Sequence, residues 1–539
     1  MTSIALSPIA ALWGIVGANT HGTREMGAVL QHRGCNVAME ERPTFSFGAR
    51  HSAQIAPIAV DDDIAVVYSG FPFVVDEETR MPRYLSAEGI RTEYVRLGLD
   101  FFRVLCGHYA IAVYSRNYHR LILVRDAFGA QSLSWVASND NFAFSTEYKA
   151  LLSLPWVNRS LDHDAARRFV HDGWAPAGRT FLRQVSMVLP GSLLIWQNGN
   201  VERIHLREGL CDRRPPFKSV SVAQVNSAVR ETIGWHANDF APRYGVMLSS
   251  GVDSAVIAAT LRRIRGDTEV HTFTVGYGHD DPEIIGASAT ASLLGTHHHE
   301  IIVQPDALTT LLKDTIIAVD NPGGYDEFPC LYALHQTARN FVDIIFSGNA
   351  ADTLFAGMPY HQPLLATDGA IHRRLCKDLT GRDERLAAQE LLAGRHGLSF
   401  RMPYAERILT DLALEIPDFQ KLSHANNKII FREAARQILP DEITMRPKRI
   451  QHLRYDNDMW SWLAERVDWI RSNSILSKHS LEVLERIVML PSGTAELTEE
   501  SFKTAWNLVS LATWASIYLD GSHQLELVTF DITIDIDRR

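Results

Sequence analysis

The densest chemistry in the chain runs from Ser249 to Ser254, where the apolar stretch YGVML (Tyr244–Leu248) leads into Ser249-Ser250-Gly251-Val252-Asp253-Ser254 and then into an apolar helical pattern. Small residues and hydroxyls at a strand-to-helix turn expose successive backbone N–H groups, and such a turn cradles an anion such as phosphate. The lysine of a GxxxxGK(S/T) loop is absent, so this is not a Walker loop; the bland alternative is a plain helix cap. Three further segments follow in order: FTVGYGHDDPE, LGTHHHE (Leu294–Glu300) and FSGNAADTLFAG (Phe346–Gly357). His297, His298 and His299 invite a metal reading. Three consecutive residues on a strand cannot all face one ion, however, and structural use is favoured.

The elements that must position these residues divide the chain in two. Up to about residue 200, short apolar runs such as IAVVYSGFPFVV, GHYAIAVYS and RLILVRD alternate with Gly, Asn and Asp turns, a pattern of antiparallel strands. From about 220, helical periodicities alternate with the short strands YGVMLSS, VHTFTVGY and DIIFSGN, which predicts a parallel α/β sheet. The boundary falls near 205–220, in REGLCDRRPPFKS, giving expected domains of 1–210 and 211–539. After about 360 the pattern is helical almost to the end, where Val528 to Asp537 alternates as a strand whose Asp531, Asp535 and Asp537 face is a solvated edge.

Length and composition bound the function. At about 150 residues per domain, 539 residues allow three or four units or two larger ones. The 53 basic and 63 acidic residues give a net charge of −10, which disfavours nucleic acid or an anionic membrane as partner. Five cysteines, none in CxxC spacing, indicate neither a disulfide framework nor a thiolate zinc site. The apolar N-terminus has no Lys or Arg before Arg24, so it reads as core rather than as a signal peptide. No uncharged apolar run reaches the roughly 18 to 20 residues of a membrane helix. A cytoplasmic protein is expected.

The loop resembles the SGGxDS pyrophosphate loop of ATP pyrophosphatases, with Ser250 at the first Gly and Gly251 at the second. Together with the segments that follow, it resembles the synthetase domain of glutamine-dependent asparagine synthetases and of their relatives, the β-lactam synthetases and lasso-peptide cyclases. The likeness extends over nearly the whole chain. It implies an N-terminal Ntn-hydrolase-like antiparallel β sandwich with helices, followed by an ATP-pyrophosphatase-like parallel sheet with a helical region, an α/β and α+β two-domain fold. It also implies that Ser249, Ser250, Gly251, Val252, Asp253, Ser254 and Gly348 bind ATP. Asp253 and Asp352 would hold Mg²⁺, and a substrate carboxylate would attack the α-phosphate to give an acyl-adenylate. A hard cation bridging phosphate oxygens requires one or two carboxylates.

The first half resembles the glutaminase domain of the same enzymes in WGIVG (Trp13–Gly17), LQHRG (Leu30–Gly34) and LVRDAFGAQSL. In the active version an N-terminal Cys is the nucleophile and its own amine the base. Here that position is Trp13, twelve residues inside the chain, and the glutamine-binding NGEIYN reads SGFPFV (Ser69–Val74). Glutamine hydrolysis is therefore not expected. Thr2, exposed if Met1 is removed, lies outside the motif frame. The amine must then come from free ammonia or from the substrate itself.

Downstream, Arg446-Pro447-Lys448 with His452 looks most like the β-lactam synthetases, a resemblance that assigns Lys448 to stabilising charge on the acyl-adenylate and tetrahedral intermediate. Lys428 stands at another position kept near the phosphates, with a surface lysine as the bland alternative. The Tyr of the lactam synthetase Tyr–Glu pair is Asn349 here, and an amide is no base. Glu390 is the positional candidate for the Glu partner. Tyr325, Asp326 and Glu327, in NPGGYDEFP, could replace the pair, or be solvated loop residues. The expected activity is an ATP-dependent, AMP-forming ligase that closes a small amino-acid-derived or peptide substrate into a lactam without glutaminase chemistry. The alternatives are a lasso-peptide cyclase, an ammonia-dependent asparagine synthetase and a non-catalytic binding homologue. A homodimer is compatible with all of them.

Overall fold

The structure is a computed structural model and describes residues 10–51, 56–138, 140–206, 219–237, 243–266, 269–367, 369–379, 384–447, 457–473, 475–488 and 499–519. Lys448, His452, Thr2 and the strand expected at 528–537 lie outside the described residues, as does most of the expected boundary segment.

The N-terminal half contains two six-stranded antiparallel sheets. Alternation builds its layers. On the central strand Ala10–Gly17, Leu12 and Val16 face the second sheet and share a core with Ala110, Ala112 and Tyr114, whereas Ala11, Trp13 and Ile15 face away toward helices. On the second sheet, Ile111 and Val113 turn outward onto Ile90 and Tyr94 of the helix Ala87–Leu97. The result is a helix–sheet–sheet–helix stack, the antiparallel sandwich with helices that the family resemblance implies.

The C-terminal half is built on a five-stranded parallel sheet. Its spatial order is His297–Ile302, Val270–Gly276, Tyr244–Met247, Ile344–Phe346, Ser399–Arg401. The chain starts in the middle, builds out to one edge and then returns to the other side, so the sheet has its switch point between Tyr244–Met247 and Ile344–Phe346. Ligands of open α/β sheets bind at the carboxyl ends of strands at such a point. Val246 pairs with Phe346 there, so the turns after both strands emerge side by side. The strand Ser399–Arg401 corrects the all-helical reading beyond 360. A three-residue strand is too short to show alternation, and its entry is set by Gly397 at φ 77° after the helix Arg385–Arg395.

Helices cover both sheet faces. One face carries Val222–Ala237, Val252–Arg265 and Ile429–Ala435. The other carries Leu308–Val319, Phe328–Ala338 and Arg385–Arg395, whose core continues without a break into the N-terminal helices and into Trp506 and Trp514. No helix among the described residues is long and apolar enough to cross a membrane.

Candidate active site

The strand Tyr244–Met247 ends in a loop that wraps on itself before the helix Val252–Arg265 begins. The Ser249 N–H donates to Ser254 Oγ at 3.0 Å, the Gly251 N–H donates to Ser249 Oγ at 3.2 Å, and the two hydroxyl oxygens are 2.9 Å apart. Gly251 caps the helix without any side-chain bond to its free N–H groups, which leaves the positive end of the helix for an anion. Glu283, which the sequence reading missed, already sits on this loop. Its carboxylate accepts the Ser250 N–H at 2.9 Å and the Ser250 hydroxyl at 2.6 Å. The local signal for it was present in Asp281-Pro282-Glu283, a cap followed by a first-turn Pro and an acid that opens the helix Pro282–Leu294.

Asp253, on the first turn after the loop, and Asp352, on the turn after Ile344–Phe346, converge on one cation. Lys428 Nζ lies 2.7 and 2.5 Å from the two Asp253 oxygens and 2.6 Å from Asp352 Oδ1. Lys428 is buried, with a left-handed backbone at φ 52° that starts the helix Ile429–Ala435. Its placement settles the surface alternative against it. Gly357 makes room for the trio, since a Cβ there would stand 2.0 Å from Lys428 Cε and 2.1 Å from Asp352 Oδ1. A Cβ at Gly348 would come within 3.1 Å of Asp253 Cβ, which keeps the second turn close to the loop. Tyr404 donates its hydroxyl to the Asp253 carbonyl at 2.9 Å. Arg432, a further basic group behind the aspartates, is lowered by burial while Asp253 and Asp352 oppose that shift. Arg446 donates to Gly286 O at 2.9 Å and Thr290 Oγ1 at 2.7 Å, so the stretch leading to Lys448 is anchored beside the loop.

These groups gather at an open cleft. Ser249, Asp253, Ser254, Gly348 and Asp352 face it, and so do Glu283 and Glu327. Two hard carboxylates that already share a cation, beside a ring of N–H donors, are a donor set that fits Mg²⁺ carrying phosphate oxygens.

Other expected residues lie elsewhere. Asn349 donates its amide to Gln389 Oε1 at 2.5 Å, and it is Gln389, not Glu390, that reaches the cleft. On the helix Arg385–Arg395, one residue is a rotation of about 100°. Glu390 instead pairs with the buried Arg33 of the N-terminal half at 2.9 and 3.3 Å. The reading of Glu390 as a proton acceptor is therefore corrected: its carboxylate is spent on a cation away from the cleft. Tyr325 does not line the cleft either. Its ring packs against Trp174 and Phe328 and lies beneath the Arg385 guanidinium at 4.1 Å. Of the NPGGYDEFP residues, Glu327 is the one on the cleft wall. His298 bonds to Thr272 on one sheet face, while His299 and His271 meet at 3.0 Å on the other, so the three histidines are split as a strand requires.

In the N-terminal half, Trp13 is fully buried and its indole N–H donates to Thr23 O at 2.8 Å. Gly27 and Gly48 are shaped to it, since a Cβ at either would stand 2.5 or 2.2 Å from the ring. Next to it lies a sealed ionic network. Arg33, 2% exposed, contacts Glu147 and Glu390; His32 reaches both Glu147 oxygens at 3.0 Å; and Lys149 joins Glu147 to Asp320, which it meets at 2.8 Å. Burial alone would raise Glu147, yet His32, Lys149 and Arg33 hold it well below the usual carboxylate range.

The sequence profile described as asparagine synthase matches residues 224–382 and 365–516, more than half of the chain, and the glutamine amidotransferase domain profile matches 84–206. Asparagine synthetase (glutamine-hydrolyzing) 1 of Bacillus subtilis strain 168 is 22% identical over 519 residues, covering 78% of this chain and 79% of its own. Asparagine synthetase (glutamine-hydrolyzing) 3 of the same strain is 22% identical over 559 residues, with 85% and 88% covered. Among solved structures, the glutamine phosphoribosylpyrophosphate amidotransferase of B. subtilis complexed with ADP and GMP covers 59% of this chain and 94% of its own at 13% identity and a TM-score of 0.28, too low to argue from. With the loop, the paired aspartates and the profile spanning them in agreement, the chain belongs to the asparagine synthase family and is an ATP-dependent amide ligase, with Mg²⁺ accompanying the nucleotide.

Proposed function

We propose that this protein adenylates a carboxylate of an amino-acid-derived substrate and closes it with an amine of the same molecule, releasing AMP and pyrophosphate, with no glutaminase step. The observation that carries this reading is the pairing of an intact Asp253–Lys428–Asp352 cluster on the cleft with a buried indole at Trp13, where the resemblance places the nucleophilic Cys. An indole cannot attack an amide, and an internal residue has no free amine to act as base. The amidotransferase match starts at residue 84, downstream of Trp13, so it describes the scaffold and not the nucleophile. The N-terminal unit, ending near residue 210, then serves as a packed support for the synthetase unit.

In this mechanism the loop N–H groups and the hydroxyls of Ser249 and Ser254 hold the pyrophosphate, which must displace the Glu283 carboxylate from Ser250. Asp253 and Asp352 would hold Mg²⁺, which supplies Lewis-acid neutralisation of the phosphate charge. Lys428 moves from between the aspartates toward the phosphates as they enter. Lys448 stabilises charge on the acyl-adenylate, as its motif implies. Glu327, the residue of NPGGYDEFP on the cleft wall, takes the proton of the attacking amine.

The test is mass spectrometry on β-amino acids and short precursor peptides incubated with protein, ATP and Mg²⁺. Loss of one water from the substrate with matching AMP and pyrophosphate supports the lactam reading, and glutamate released from glutamine overturns its glutaminase-free part. The names of the relatives favour a second reading, asparagine formation; with Trp13 at the nucleophile position its nitrogen would come from free ammonia, and a gain of ammonia nitrogen in place of ring closure would support it.

A further inference from the structure

Away from the cleft, one more set of ligating side chains converges. His108 precedes the strand Tyr109–Ser115 in the N-terminal half, His236 lies in the last turn of Val222–Ala237, and Glu406 caps the helix Arg407–Glu415. All three are buried, and one ligating atom from each lies within 4.8 Å of the other two. His236 Nε2 is 2.7 Å from Glu406 Oε1, and the Gly107 N–H reaches Glu406 Oε2 at 3.3 Å. His108 Nε2 has only the Ala405 carbonyl, at 3.4 Å. The Nδ1 atoms of both histidines have no hydrogen-bond partner. Buried polar atoms are ordinarily paired, and an orphaned nitrogen on each imidazole of a buried cluster needs an explanation.

Nothing in the ligase chemistry uses this cluster. None of its members lines the cleft, and they come from three elements on both sides of the seam between the halves. We propose that His108, His236 and Glu406 bind one zinc-class divalent cation, which staples the N-terminal half to the synthetase half.

Two imidazoles and a carboxylate are the ligand set of zinc and its transition-metal neighbours rather than of Mg²⁺, which takes oxygen ligands. Burial keeps both imidazoles in the neutral form that ligates. The opposing influence is Arg401, whose guanidinium lies 3.5 Å over the ring of Phe71; that ring meets both imidazoles edge-on at 5.1 and 5.0 Å. Its repulsion of a cation is opposed by the Glu406 carboxylate.

The test uses full-length protein without a histidine tag, stripped with chelator, loaded with Co²⁺ or Zn²⁺ in the absence of nucleotide, and desalted. One equivalent of metal should remain, and the cobalt form should show the intense visible bands of low-coordinate nitrogen ligation. His236→Gln and His108→Gln should lower the affinity at least tenfold, whereas His297→Gln, at the exposed histidine strand, should leave it unchanged. Wild-type protein that retains no metal, a weak oxygen-type cobalt spectrum, or equal retention in His236→Gln overturns the proposal. If a variant fails to fold by circular dichroism, the wild-type stoichiometry and spectrum decide.

Discussion

Lys428 and Arg33 are each set between two carboxylates, and only the first of these clusters opens on a cleft. Lys428 lies between Asp253 and Asp352, whose side chain is 21% exposed at the wall of a cleft. Arg33 lies between Glu147 and Glu390, where none of the three side chains exceeds 9% exposure. On the proposed function the first cluster exchanges its cation for metal and phosphate, since it stands at the cleft wall beside the uncapped start of the helix Val252–Arg265. The second cannot exchange, and its partners come from both halves, so its free energy goes into holding the halves together. A charge pattern can serve the ligase chemistry only where a cleft reaches it.

Breaking the sealed cluster should give the largest effect. Arg33→Met leaves Glu147 and Glu390 buried without a full partner, and chemical denaturation should show a loss of about 3–5 kcal/mol. A loss under about 1 kcal/mol would mean that the network does not stitch the halves. The neighbouring indole sharpens the same contrast. Trp13→Ala opens a cavity between Gly27 and Gly48 and should cost about 3–5 kcal/mol in the same measurement. Trp13→Cys should produce no glutamate from glutamine.

On the open cluster, Asp352→Asn should cut substrate-dependent pyrophosphate release by about 10²–10³-fold, the loss typical of a group stabilising transition-state charge. Its effect on stability should be smaller than that of Arg33→Met. Glu390→Gln provides the crossed control, with turnover per folded molecule within about threefold of wild type and stability lower by about 1–3 kcal/mol. Equal loss of turnover in Glu390→Gln and Asp352→Asn would erase the distinction between the clusters. The smallest effect is expected at the loop. Glu283→Gln removes a negative charge from Ser250 and should tighten ATP binding about two- to fivefold in calorimetry, the size of one partly screened charge contact.

What was legible in the sequence is what local chain geometry encodes. Ser249 to Ser254 must turn from strand to helix, so their N–H groups and hydroxyls are fixed within a few residues, and the loop reads directly. Alternation on Ala10–Gly17 and Tyr109–Ser115 likewise announces two-faced strands. Glu390 was not legible, because it and Gln389 are adjacent in sequence yet point about 100° apart, and only the packing of their helix shows which one meets the cleft. Tyr325 reads as a polar group in a loop, but its ring is claimed by Trp174 and Arg385. Lys428 carried two readings until its left-handed backbone and Gly357 placed it between the aspartates.

The sequence by itself determined the family, the anion loop and the replacement of the expected nucleophile by Trp13, because motif order and residue type survive without coordinates. Only the tertiary structure decided which cation each carboxylate meets and whether water reaches the pair. Asp253 and Asp352 are 99 positions apart in the chain, and Arg33 and Glu390 are 357 apart. Charges that distant meet only through the parallel register of Val246 with Phe346 and through the packing of the helices between the halves. Whether they then face water or a sealed interior sets what they can do, because desolvation decides if a cation is exchanged or locked in place.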